Sequence, residues 1–98
     1  KYYIYILECA DKSLYTGMTT NLKRRFKEHL AGKGGAYTRS HPPIKIRYSE
    51  KAGSRSKALK REAEIKRWPR IKKLSLIKGD KAFNFVDLPD QFVQPALV

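Results

Sequence analysis

A carboxylate set in an apolar stripe limits what this chain can fold into more than any other feature. Glu62 lies in Ala58-Leu59-Lys60-Arg61-Glu62-Ala63-Glu64-Ile65-Lys66-Arg67-Trp68, a run that reads as a helix. At helical spacing Ala58, Leu59 and Ile65 share its face. A charge placed there is costly unless it meets a cation, a metal or hydrogen-bond donors, so the fold must bring one of these to it. Glu64 points the other way, among Lys57, Lys60 and Lys66, and reads as a solvated surface acid.

The rest of the chain reads as strands and helices around that element. Tyr2-Tyr3-Ile4-Tyr5-Ile6-Leu7 is aromatic and β-branched, which predicts a strand. Cys9 to Ser13 supplies a turn, and Leu14-Tyr15-Thr16-Gly17-Met18 the returning strand of a hairpin. Gly17 inside that strand marks a bulge or a close approach of the backbone to another group. If the residue numbers of paired positions sum to an even number, Tyr5 and Tyr15 share a face; a slip of one residue separates them. Thr19-Thr20-Asn21 offers N-caps for a helix over 21–31, with Leu22, Phe26 and Leu30 as its buried stripe and Arg25 and His29 flanking it. Gly32 ends that helix. Gly32-Lys33-Gly34-Gly35 is a basic loop without a P-loop pattern. Pro43 to Ser49 alternates Ile44, Ile46 and Tyr48 against Lys45, Arg47 and Ser49, a third strand with one buried face. Ser54 or Ser56 caps the Glu62 helix, and Pro69 stops it. Ile71, Leu74 and Leu76 or Ile77 predict a further short helix. The expectation is an α/β (α+β) domain over 1–79, with a three-stranded, mainly antiparallel sheet flanked by helices, and an irregular tail over 80–98.

Charge sets the class of partner. Against nine acidic residues stand 22 Lys and Arg, for a formal net charge of +13. That favours a polyanion, nucleic acid above all. The single cysteine, Cys9, cannot make an intrachain disulfide, and with two separated histidines it cannot build a zinc site. No apolar run approaches the roughly 20 residues of a membrane span, so the expectation is a cytoplasmic protein with no membrane partner and no small-molecule cofactor.

In order and in residues, the chain resembles the GIY-YIG nuclease domain, from about Tyr2 to Ile77. Tyr3-Ile4-Tyr5 matches the first motif and Tyr15-Thr16-Gly17 the second. Arg25 matches the motif arginine and His29 the histidine one turn later. Glu62, in Ala58-Leu59-x-x-Glu62-x-x-Ile65-Lys66, matches the motif glutamate. The run Gly34 to Arg39 looks like a stretch of the small stand-alone bacterial members. Tyr3 replaces a glycine, Thr16 an isoleucine, and Met18 a lysine found in some members; Asn84 is the candidate for a late family asparagine.

The resemblance implies a Mg²⁺- or Mn²⁺-dependent endonuclease with Tyr5, Tyr15, Arg25, His29 and Glu62 as catalytic residues. Glu62 would be the main protein ligand of a single metal. Tyr5 would position or deprotonate water with Tyr15 in support, and His29 would accept or relay that proton. The chemistry suits the residue types: a guanidinium binds two phosphate oxygens at once, and a hard cation on a carboxylate stabilises a leaving oxygen. Lys23, Arg24, Lys33, Tyr37 and Arg39 are the candidate nucleic-acid contacts. DNA is favoured over RNA, as structured or damaged DNA with a place in DNA repair. Two alternatives stay open: a non-catalytic nucleic-acid-binding module, and a Glu62–Arg25 ion pair that only joins two helices.

Overall fold

The computed structural model describes residues 1–78; the tail expected over 80–98 and Asn84 lie outside the described residues. At its centre is β1 (Tyr2–Cys9), hydrogen-bonded on one side to β2 (Leu14–Thr19) and on the other to β3 (Pro43–Ala52). Both neighbours run antiparallel to it. Helices cover both faces of this sheet, so the central strand has no wet side. That is why Ile4-Tyr5-Ile6-Leu7 carries no charged or small polar residue, and each of the four is buried.

The hairpin turn is closed by Asp11. Its Oδ1 accepts from the Ser13 N–H at 3.0 Å and from Ser13 Oγ at 2.6 Å, and Lys12 takes φ 75° beside it. The register that follows is the even one. Tyr5 opposes Gly17 and Leu7 opposes Tyr15, which puts Tyr5 and Tyr15 on the same face.

On that face lies α1 (Leu22–Leu30), whose N-cap Asn21 accepts from the Arg24 N–H at 2.9 Å. Phe26 packs with Tyr5, Leu7 and Ile46, and Leu22 and Tyr15 border them. The expected stripe needs one correction. Leu30 is 56% exposed, and His29 takes the buried position at 1%. The helix turns its i+3 rather than its i+4 neighbour of Phe26 to the sheet, because the imidazole finds hydrogen-bond partners there that a leucine could not use. The loop after α1 also holds a short helix that the sequence reading did not expect, α2 (Ala36–Ser40), with Thr38 buried.

The opposite face carries α3 (Arg55–Lys66), capped by Ser54, whose side chain accepts from the Lys57 N–H. Ala58 and Ile65 pack on Ile4 and Ile6. Two turns separate Ala58 from Ile65, so they alone set the contact line, and Leu59 is rotated out to 42% exposure. After Trp68, α4 (Arg70–Lys78) adds Leu76 and Ile77 to this cluster. Ile71, expected in its buried stripe, is exposed.

β3 breaks the simple alternation read from its sequence. Ile6 opposes Tyr48 but Leu7 opposes Ile46, and Glu8 opposes Lys45 but Cys9 opposes Pro43. Each shift inserts one extra residue and reverses the facing of those that follow. Ile46 therefore joins the α1 face, Tyr48 the α3 face, and Ile44 is exposed.

Under α3, Thr16 is 2% exposed, and its Oγ1 has no hydrogen-bond partner among the described residues. An unsatisfied buried hydroxyl costs about 1–3 kcal/mol. Thr16→Val keeps the shape and removes the hydroxyl. It should stabilise the protein by about 1 kcal/mol, read as a rise of about 4–8 °C in melting temperature; an unchanged or lower melting temperature would mean that the hydroxyl is satisfied in solution.

Candidate active site

Tyr5 is the innermost residue of the site. Its ring lies across Gly17 on the neighbouring strand, where a Cβ would overlap the phenol hydroxyl and come within 2.6 Å of Cζ. The glycine of the second tyrosine motif is thus an opening for the tyrosine of the first. Through that opening Tyr5 Oη reaches His29 Nε2 at 2.8 Å. The other imidazole nitrogen, Nδ1, is 2.7 Å from Thr38 Oγ1. The chain Tyr5–His29–Thr38 ties β1, α1 and α2 together inside the protein. Gly34 covers the imidazole, and a Cβ on it would approach His29 Cγ to 2.6 Å.

Burial sets the protonation of this pair. It pushes the Tyr5 phenol up to about 12; the Arg25 guanidinium opposes that rise, while Tyr15 and Glu62 add to it. Burial, then the charge of Arg25, pushes His29 down to about 4. Near pH 7 the phenol is therefore protonated and the imidazole neutral. A neutral imidazole carries one N–H, so one ring nitrogen donates and the other accepts; in the tautomer with Nε2 as acceptor, the phenol donates to Nε2 and Nδ1–H donates to Thr38 Oγ1.

Arg25 is held from two sides. Nη1 donates to Glu28 Oε1 at 2.8 Å and Nη2 to the Gly34 carbonyl at 3.0 Å. Glu28, in turn, is held below the usual carboxylate range by Arg25. Glu62 does not pair with Arg25: its Oε2 is 3.3 Å from Lys66 Nζ, one turn along α3. Lys66 Nζ also sits 5.9 Å from the centre of the Tyr15 ring, within cation–π range. α3 thus presents Glu62 and Lys66 beside the edge strand that carries Tyr15. Tyr15 meets the His29 ring edge-on at 5.3 Å and the Tyr5 ring at 6.5 Å.

Tyr5, Tyr15, Arg25 and His29 are therefore in mutual contact or one residue removed; Glu62 is carried by α3, the helix of the opposite face, and its partner Lys66 reaches the Tyr15 ring. Met18 is not part of this group; it packs on the Ile4–Ile65 cluster under α3. Of the candidate nucleic-acid contacts, Lys23, Arg24 and Lys33 line one open depression of about 400 Å³ together with Lys27 and Glu28. Tyr37 stacks on Tyr15 at 5.7 Å, and Arg39 is exposed on α2.

A family model for the GIY-YIG catalytic domain matches residues 1–75. The chain belongs to the GIY-YIG family. A UPF0213 protein of Syntrophus aciditrophicus is 54% identical over 79 residues, which cover 80% of this chain and 91% of that one. A UPF0213 protein of Natronomonas pharaonis is 49% identical, over 81% and 93% of the two chains. The solution NMR structure of a UPF0213 protein from Bacillus halodurans superimposes with a TM-score of 0.52 at 43% identity, covering 79% of this chain and 82% of that one. GIY-YIG domains form a nuclease family whose members generally depend on a metal, and a nuclease domain implies nucleic acid as its partner. Among the described residues no helix is long and apolar enough to cross a membrane.

The donor set can be tested against such a metal. Among the described residues no three His, Cys, Asp or Glu side chains cluster, so a cage made of protein ligands alone is excluded there. A single half-buried carboxylate, Glu62, with Lys66 beside it, fits Mg²⁺. That ion keeps several waters and takes one or two carboxylates plus substrate phosphate.

Sequence reasoning missed Glu28, Gly34, Thr38 and Lys66. The Gly34-Gly35 pair was a signal that backbone approaches something closely there; Glu28 stands i+3 from Arg25 and Lys66 i+4 from Glu62, spacings that permit an ion pair, and Thr38 had no signal. Gly17→Ala should displace the Tyr5 hydroxyl, break its bond to His29 and cost about 1–3 kcal/mol of stability. By NMR, His29 in the parent should titrate near pH 4, and in the variant its midpoint should move up toward 6.5. An unmoved midpoint would show that Tyr5 and the burial it enforces do not set the state of His29. His29 binds a proton more readily unfolded than folded, so the stability it contributes is present above pH 6.5 and is lost as pH falls from 6.5 toward 4, by up to ~3 kcal/mol.

Proposed function

We propose that this protein is an endonuclease that hydrolyses phosphodiester bonds in DNA, structured or damaged DNA in particular, with Mg²⁺ or Mn²⁺ held by Glu62. The observation that carries the reading is the 2.8 Å contact between Tyr5 Oη and His29 Nε2 beside the Arg25 guanidinium. A phenol with a pKa of about 12 is a poor base by itself. Paired with a neutral imidazole it need not hold the charge. As the Tyr5 oxygen accepts a proton from the attacking water, its own proton passes to His29 Nε2, and Thr38 keeps the ring in the tautomer that can receive it. Arg25, fixed by Glu28 and the Gly34 carbonyl, offers its guanidinium to the non-bridging oxygens, where charge grows in the transition state. Tyr15 holds the His29 ring edge-on and lies tilted against the Tyr5 ring. Lys66 neutralises Glu62 in the absence of metal. The metal, when bound, supplies stabilisation of the leaving oxygen.

Substrate grip follows from charge. The depression lined by Lys23, Arg24, Lys27 and Lys33 opens beside Glu28, which holds Arg25, so a backbone lying in it leads toward the site. Arg39 adds a further phosphate contact. Such contacts position the nucleic acid without reading its sequence. Affinity for a duplex should fall steeply and log-linearly with salt, measured by anisotropy across a salt series; a flat salt dependence would remove the basic depression from the account.

Cleavage of labelled branched, nicked and intact DNA, with an RNA arm, tests the function. Glu62→Ala should abolish Mg²⁺-dependent cleavage and leave binding intact. It should shift stability by no more than about 0.5 kcal/mol, because the pair it loses is an i,i+4 contact with a half-exposed lysine. Arg25→Lys should lose about 10²–10³ in rate, since a lysine cannot span two phosphate oxygens. Binding without cleavage of any probe, with either metal, would make the protein a non-catalytic nucleic-acid-binding module.

A further inference from the structure

We propose that Tyr15, Tyr37 and His41 form a stacking column whose outer end receives an unpaired nucleobase, so that the substrate is nucleic acid with an unstacked base near the scissile phosphate. This rests on the nucleic-acid reading of the site above. The column starts at Tyr15, which meets His29 edge-on. Tyr37 lies over Tyr15 at 5.7 Å with 18° between the planes, and His41 over Tyr37 at 4.0 Å with 5°. Three rings are thus set nearly parallel, running outward from the acid–base pair.

α2 has an anchor besides these rings. Thr38 already fixes that helix through its 2.7 Å contact with His29. Yet Tyr37 is 38% exposed and the His41 side chain 36%. The His41 ring is also held in its plane: Nδ1 donates to the Tyr37 carbonyl at 2.9 Å, and Nε2 faces Asp11 Oδ2 at 3.8 Å. With its nitrogens directed at these groups and one face on Tyr37, the ring's exposure is largely its second face. A fixed, exposed π-face is what proteins offer to single-stranded nucleic acid, since every base can stack on it. A base inside a duplex is already stacked on both sides and cannot use it. Arg39, exposed on the same short helix, supplies a cation for the adjoining phosphate.

The test is binding of the full chain, without divalent metal, to a short strand carrying 2-aminopurine. The strand is presented as single-stranded DNA, as the same DNA in a duplex, and as single-stranded RNA. Stacking should quench the fluorophore in the single strand, which should bind about tenfold more tightly than the duplex. His41→Ala should weaken single-strand binding about 5- to 100-fold and leave duplex binding within about twofold, as expected for phosphate contacts alone. His41→Phe should restore the parent behaviour. His41→Leu, which covers Tyr37 without a π-face, should behave as the alanine variant. Quenching with DNA, with RNA or with both supports the proposal and identifies the sugar. Absence of quenching in both single strands, or equal loss on single strand and duplex in His41→Ala, overturns it. No cleavage is read, so a protein that cuts nothing can still pass this test, and a nuclease confined to duplex fails it.

Discussion

Two polar rings buried in an apolar core must satisfy each other, and Tyr5 and His29 do so at 2.8 Å. An unpaired phenol or imidazole at that depth would cost about 1–3 kcal/mol. The rest of the structure is arranged so that the cost does not arise. Gly17 leaves the space Tyr5 needs, Gly34 leaves the space His29 needs, and Thr38 takes the second imidazole nitrogen. Three backbone segments, β1, α1 and α2, are positioned by one chain of hydrogen bonds. The same burial holds the phenol protonated and the imidazole neutral, the state from which the proposed proton transfer starts.

The sheet divides its labour by parity. In β1 the even positions Ile4 and Ile6 pack under α3, and the odd positions Tyr5 and Leu7 pack under α1. Core and candidate site therefore alternate along one strand. A substitution on the α3 side, such as one at Thr16, touches stability without entering the site. One at Gly17 acts on the site directly, because its neighbour across the ladder is Tyr5.

Charge is arranged in layers around this pair. Arg25 is committed to Glu28 and a carbonyl, and Glu62 to Lys66. Both pairs are partly solvated and of modest strength, as the proposed binding of a phosphate and a divalent cation requires. The basic depression along α1 and the aromatic column from Tyr15 to His41 approach the same centre. One is suited to the backbone of a nucleic acid and the other to its bases.

Much of this was legible in the order of residues. Local pattern determined the hairpin, the α1 and α3 helices with their caps narrowed to Thr19–Asn21 and to Ser54 or Ser56, the third strand, the break at Pro69, and a net charge that calls for a polyanion. The motif residues Tyr5, Tyr15, Arg25, His29 and Glu62 could be named before their positions were known. Tertiary structure decided the rest. The two irregularities of β3 sent Ile46 and Tyr48 to opposite faces, and no periodicity in the sequence marks an inserted residue. His29 displaced Leu30 from the core because Tyr5 and Thr38 were there to bond it. Glu62 took Lys66 rather than Arg25 as its cation. Spacing along a chain fixes which residues share a face, but what that face meets depends on contacts between segments far apart in sequence, and those exist only once the chain has folded.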